Sequence, residues 1–200
     1  MKYLTIIAGL CLSMGVALAD PVVVDLPELA GGYEWDSYGE PNFDYPSYRS
    51  TSFSIPSTVT HIEQIDLVIS GDWSAGVQSC YGAQGPEESP IEPWLFIWIP
   101  VPGTSNGYFI GNLPPEGLAD GPFDELRVTL ESQYPPGSHE PDELLGVPLE
   151  ADFGIDFGML GICSLVEDTY GTVTNVHLEL FDEPVAVEPM TWSRVKGLYR

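Results

Sequence analysis

Apolar and polar residues alternate with a period of two through most of this chain. Thr51, Phe53 and Ile55 interleave with Ser50, Ser52 and Ser54, and Ile65, Leu67 and Ile69 with Gln64 and Asp66. Leu126, Val128 and Leu130 interleave with Glu125, Arg127, Thr129 and Glu131. Phe153, Ile155 and Phe157 interleave with Asp152, Gly154 and Asp156, and Val176, Leu178 and Leu180 with His177 and Glu179. This pattern predicts strands with one buried face, because successive side chains of a strand point to opposite sides. Residues 22–24 predict an edge strand, and residues 77–81, 107–110 and 160–166 further short strands. Residues 94–99 are apolar at every position and predict a central strand buried on both faces, bounded by Pro93 and Pro100. Gly71-Asp72 predicts a turn.

Helical periodicity is missing from the body, and 21 glycines and 19 prolines punctuate it. The pattern predicts an all-β fold of about eight to ten strands, a β-sandwich of jelly-roll type. Residues 82–92, 111–123 and 132–148 read as long connections rich in proline, glycine and carboxylates, the part of a sandwich where binding sites usually sit.

The two ends depart from this pattern. Lys2, an apolar run over 4–12 and the small-residue step Ala17-Leu18-Ala19 have the layout of a secretory signal peptide, 1–19, cleaved before Asp20. The expected destination is the periplasm, the cell surface or the medium, with no stable membrane span after cleavage. Residues 20–181 form the sandwich domain and 182–191 a linker. Residues 192–200 form a short basic amphipathic tail: Trp192, Val195 and Tyr199 make one apolar stripe, and Arg194, Lys196 and Arg200 supply charge. Val187-Glu188-Pro189 resembles the motif that opens exosortase-type sorting tails, but the apolar span that follows in those tails has no counterpart over 190–200. Two readings of the tail compete: it folds back on the acidic body, or it docks on a sorting or anchoring partner.

Charge narrows the partners. Thirty acidic residues face six basic ones, for a net charge of −24. Such a surface repels nucleic acid, whose phosphates need cationic partners. Cys11 leaves with the signal peptide, so Cys80 and Cys163 remain as a pair for a disulfide in an oxidising compartment. A bridge between them closes a long loop and contributes roughly 4 kcal/mol in the chain-entropy account.

Three constellations bear on chemistry. Glu87, Glu88 and Glu92 share one connection, and Glu140, Asp142 and Glu143 another. Clustered carboxylates suit Ca2+, which takes six to eight oxygens, or else form a solvated acidic coat. Tyr33, Trp35, Tyr38, Tyr45 and Tyr48 form a dense aromatic stretch that either stacks on sugar rings or drapes its rings over the sandwich. Trp73, Trp94 and Trp98 read as core. Catalysis is not expected: no Gly-x-Ser-x-Gly elbow occurs, and with 30 carboxylates some pair at glycosidase spacing is guaranteed by chance.

Val59-Thr60-His61-Ile62 before the strand at 65–69 resembles the opening of the jelly-roll P-domain found beside secreted subtilisin-like proteases. Ile97-Trp98-Ile99-Pro100 with Pro102-Gly103-Thr104 is similar to that family's strand and turn. Leu165-Val166-Glu167-Asp168, Gly171, Val173 and Leu178-Glu179-Leu180-Phe181 are similar to its closing hairpin. The resemblance implies a non-catalytic stabilising or binding module. The sequence therefore predicts a secreted binding module for an extracellular glycan or surface protein, with calcium as a stabiliser. The alternatives are a structural or adhesive surface component held by its tail and, third, a glycan-active enzyme. The oligomeric state is open.

Overall fold

The computed structural model describes residues 20–35, 48–74, 76–82, 85–90, 94–105, 107–113, 120–133, 135–156, 163–167 and 169–183. The expected signal peptide, the tail at 192–200, most of the linker, and Tyr38, Tyr45 and Glu92 lie outside them. The strands are β1 (Val22–Asp25), β2 (Gly31–Trp35), β3 (Tyr48–Phe53), β4 (Gln64–Ser74), β5 (Val77–Gly82), β6 (Gly85–Pro90) and β7 (Trp94–Pro100). They continue as β8 (Tyr108–Leu113), β9 (Gly121–Thr129), β10 (Glu131–Gln133), β11 (Leu149–Asp156), β12 (Cys163–Glu167) and β13 (Thr169–Phe181). Two short 3-10 turns, Pro27–Leu29 and Pro141–Leu144, complete the described elements.

The all-β expectation holds, with antiparallel pairing throughout. The first sheet runs β1-β13-β4-β9, and β2 pairs with the same edge of β13 as β1. One interrupted edge strand thus covers β13: β1 pairs with residues 177–180, the Pro27–Leu29 turn steps across, and β2 pairs with residues 169–173. Leu26 and Leu29, on either side of that step, are fully buried and pin it to the core. The second sheet runs β10-β8-β7-β11-β3, and β12-β5-β6 form a third, smaller one.

The two five-stranded sheets share one hydrophobic core. Ile65, Leu67, Ile69, Trp73, Val173, Val176, Leu178 and Leu180 come from the first sheet, and Leu95, Ile97, Ile99, Phe109, Leu149, Ala151 and Phe153 from the second. Val173 and Val176 are three residues apart yet both inward, because a bulge lies between Val173 and Asn175 and resets the alternation. A second bulge on β9 puts Glu125 at φ 47, with the Ser70 hydroxyl donating to Asp124 and accepting from the Glu125 amide.

Four sequence expectations need correction. Gly71-Asp72 is no turn: β4 runs straight through it to Ser74. Glycine is there for close approach, since a Cβ would lie 2.4 Å from the Thr172 carbonyl oxygen and 2.6 Å from the Phe123 ring. Residues 82–92 are not an open connection, because β6 occupies most of them. The strand at 94–99 is central but has only one core face. Leu95, Ile97 and Ile99 are buried, while Trp98 is 40% exposed and Phe96 half-buried. Trp98 is therefore surface, not core. The strand count also exceeds expectation because short strands β2, β6 and β10 fall in stretches read otherwise. Trp73 is core as expected, at 1% exposure.

Candidate functional site

The aromatic stretch of the sequence does not assemble as one exposed platform. Tyr33 is fully buried on β2, which removes it as a stacking residue and agrees with the other reading of this stretch, rings buried against the sandwich. Its ring meets Phe153 edge-on at 5.6 Å, joining the two sheets, and the Arg49 guanidinium lies 5.3 Å from its centroid. The Tyr33 hydroxyl donates to the Leu29 carbonyl. Burial pushes this hydroxyl well above the usual tyrosine range, against the pull of the Arg49 cation. Trp35 holds a backbone position opposite Thr169. Tyr48, the other of the five whose side chain is described, is 62% exposed on the outer face of β3.

The carboxylates of the 132–148 connection are committed to local structure. Glu140 and Glu143 form a capping box on the Pro141–Leu144 turn, satisfying amides that a helical turn leaves open. Asp142 accepts from the Ile62 amide at 2.6 Å and contacts His61 Nδ1 at 2.8 Å, tying the turn to the 54–63 connection. Glu143 contacts His139 Nδ1 at 2.9 Å. The hydrogen bond to Asp142 raises the His61 pKa, and the same contact lowers that of Asp142. Glu143 is lowered through His139. Glu87 and Glu88 take successive positions on β6, opposite Cys80 and Ser79. Among the described residues, no group of three or more His, Cys, Asp and Glu is placed to hold a metal ion.

The two sheets close their outer faces differently. On the first, Arg127 bridges Glu179 and Asp66, and Asp66, only 3% exposed, also accepts from Gln64 and Thr129 at 2.8 Å each. The Arg127 contact lowers the Glu179 pKa, and Glu179 raises that of Arg127. That face is sealed by polar side chains satisfying one another.

The outer face of the second sheet carries rings instead. Pairing register places its residues in rows. Tyr48, Gly154, Phe96 and Asn112 form one row; Ser50, Asp152, Trp98, Ile110 and Glu131 the next; Pro100, Tyr108 and Gln133 a third. The rings therefore step diagonally from β3 to β8: Tyr48, across the side-chain-free Gly154, then Phe96, Trp98 and Tyr108. Phe96 and Trp98 have centroids 5.4 Å apart with planes at 40°, and Trp98 and Tyr108 6.2 Å apart at 48°. Asp152 anchors the middle of the line: it accepts from the Trp98 indole Nε1–H on one oxygen and from the Ser50 hydroxyl on the other.

Charge on this face is negative. Glu131, Glu150 and Asp152 stand on it, and neither described basic residue does. Arg49 points inward to the Gly32 carbonyl and the Tyr33 ring, and Arg127 belongs to the other sheet. Sequence reasoning missed the site because an all-apolar strand reads as doubly buried. A usable signal was in the neighbours. Ser50, Ser52, Glu150 and Asp152 are polar at every outward position of β3 and β11 from Ser50 to Glu150, and strands beside them cannot be covered on that side.

A separate cleft of about 320 Å³ lies at one end of the sandwich, lined by Asp20, Val22, Thr58, Val59, Thr60, His61, Leu180, Asp182 and Glu183. Among the described residues no helix is long and apolar enough to cross a membrane. Comparison with protein-family models, with curated proteins and with solved structures returned no match.

Proposed function

We propose that this protein is a secreted, non-catalytic carbohydrate-binding module that takes its ligand on the outer face of the second sheet. The observation that carries the reading is the solvent-facing line Phe96–Trp98–Tyr108, with Trp98 locked by Asp152. A large ring kept 40% exposed on a central strand gives up hydrophobic burial that its neighbours obtain. Its polar edge is tied down, so its face is pre-set for stacking. Serine, asparagine, glutamine and carboxylate groups around it offer hydrogen bonds to hydroxyls. Rings for the apolar faces of sugars, and polar groups for their rims, are what carbohydrate recognition requires.

The jelly-roll assignment is part of the same proposal. Count β1 with β2 as one edge strand and set aside β10 and the third sheet. Eight strands remain, and numbered along the chain they run 1-8-3-6 and 2-7-4-5 in the two sheets. That order supports a jelly roll with its two Greek keys, an architecture common among lectins. Secretion rests on the layout of residues 1–19. The Cys80–Cys163 bridge is supported by their register, which sets them directly opposite on β5 and β12.

The test is a glycan-binding panel run on the chain from Asp20 and on Trp98→Ala. The proposal expects one or more glycans to bind the parent chain and to lose at least tenfold in affinity with the variant, whose fold is checked by circular dichroism. Binding that survives the substitution, or a Trp98→Ala change that alters only self-association in sedimentation, would overturn it.

A further inference from the structure

We infer that the ligand of the aromatic face is an uncharged, β-linked polysaccharide bound as an extended chain along the Tyr48–Phe96–Trp98–Tyr108 diagonal. This inference rests on the carbohydrate reading above and narrows it in three steps.

The first step is shape. The face is an open sheet surface, and the described cleft lies elsewhere, around His61 and Asp182. Small ligands gain affinity by being enclosed, with most of their surface buried in a pocket. An open face gives a monosaccharide one ring on one side only. A chain that touches several rings adds their contributions within a single binding event. Rings with centroids 5.4 and 6.2 Å apart are too close to hold a separate ligand each, so one ligand spans them.

The second step is charge. Asp152, Glu150 and Glu131 are on the face, both described guanidinium groups are committed elsewhere, and the chain carries −24 overall. A polyanionic glycan brings its carboxylates or sulfates against these groups with no Lys or Arg among the described residues of the face to receive them. Ionised carboxylates only accept hydrogen bonds, so they select a ligand rich in donors. Sugar hydroxyls meet that need without charge. A polycation is drawn to a surface of −24 at any point and needs no aromatic line, so the line argues for a neutral chain.

The third step is ring chemistry. A pyranose with equatorial substituents presents flat faces of axial C–H bonds. β-Linkage between such residues keeps the chain straight, with every residue's face available to rings that step diagonally across the strands. An α-linked helical chain turns away from the row within a few residues.

The experiment is affinity electrophoresis of the chain from Asp20 at low and high salt. The gels contain hydroxyethylcellulose, xylan and galactomannan as neutral β-linked polymers, soluble starch as the α-linked one, alginate and polygalacturonate as anions, and chitosan as the cation. Calorimetry with oligosaccharides of two to six residues accompanies it. The expected result is retardation by a neutral β-linked polymer, insensitive to salt, with affinity rising over the first four residues. Trp98→Ala then lowers affinity roughly tenfold and Phe96→Ala by a smaller factor. Retardation only by alginate, polygalacturonate or chitosan, or equal retardation by starch, overturns the inference while leaving the carbohydrate reading standing. A flat dependence on chain length does the same. No retardation in any gel, and no hit on a wider glycan panel, overturns both.

Discussion

Asp152 is the hinge of the site, and removing its carboxylate separates the positioning of Trp98 from its presence. In the native arrangement one oxygen takes the indole N–H and the other the Ser50 hydroxyl. Asp152→Ala deletes both acceptors without touching a ring. Trp98 is 40% exposed, so water reaches the freed N–H, and the stability cost stays at about 1 kcal/mol or less. The larger effect falls on binding. An indole released from its anchor samples several rotamers, and re-fixing it costs about 0.5–1.5 kcal/mol, roughly a 2- to 12-fold weaker Kd. Asp152→Asn keeps an oxygen that accepts from the indole but loses the charge assistance, which about halves such a bond. Its affinity should fall between the parent and Asp152→Ala. The assay pairs calorimetric affinity with the indole N–H resonance of Trp98 in a 15N spectrum. A shifted or broadened resonance with weakened binding and a nearly unchanged melting point is the expected result. If Asp152→Ala binds as tightly as the parent and the indole resonance does not move, the anchoring argument is wrong.

Three further outcomes follow from the rest of the molecule. Gly171→Ala puts a Cβ 2.3 Å from Trp73 Cε3 and 2.7 Å from the Asp72 carbonyl oxygen, and should cost about 1–3 kcal/mol in urea unfolding; an unchanged midpoint would show that Trp73 can move aside. His61 has a pKa raised above its ordinary value, chiefly by Asp142 and also by Glu63 and Asp182, while Asp20 and Glu183 line the same cleft. Its stabilising contribution is complete below the ordinary histidine pKa of about 6.5 and is lost as pH rises through the raised value. The Asp142 contribution is lost only as pH falls through its lowered value, so the His61–Asp142 contact, a latch between the turn and the 54–63 connection, is strongest between the two. An NMR titration should find His61 shifted upward, and Asp142→Asn should return it towards the ordinary value; no shift in the parent chain would remove the latch. Thiol titration of the unfolded, unreduced chain from Asp20 should find no free cysteine, and serine at both Cys80 and Cys163 should cost about 2–5 kcal/mol, whereas two titratable thiols would rule out the bridge.

Strands with an amphipathic pattern were legible because their alternation follows directly from burial on one side. Leu67, Ile69, Leu178 and Leu180 fell where the pattern put them. What the pattern hid depends on partners far away in sequence. Trp98 looks like core until β11 is set beside it and Asp152 is found opposite. Tyr33 sits in a polar, glycine-rich stretch whose rings read either as exposed for stacking or as buried. It is interior because the turn at Pro27–Leu29 tucks β2 against Phe153 and Arg49. Gly71 reads as a turn residue locally, but its role is set by Thr172 and Phe123, which only the sheet brings near. The acidic clusters carried the least information. Their composition pointed to calcium, but Glu140, Asp142 and Glu143 are divided between a cap and two histidines. The proposed face is aromatic, as the sequence suggested for a stacking site, but it draws mostly on other residues. Of the four tyrosines and one tryptophan proposed from sequence, Tyr48 belongs to the face that the structure assembles.

The most direct test of the account is to map where a bound glycan touches the chain. A 15N and aromatic 13C titration of the chain from Asp20 with the best-binding oligosaccharide would do this. The account predicts shifts concentrated on Tyr48, Phe96, Trp98, Tyr108 and the Asp152 backbone, with the first sheet's Arg127–Glu179 face silent. Shifts gathered instead around His61, Thr58 and Asp182 in the end cleft, or on the Arg127 face, would contradict it.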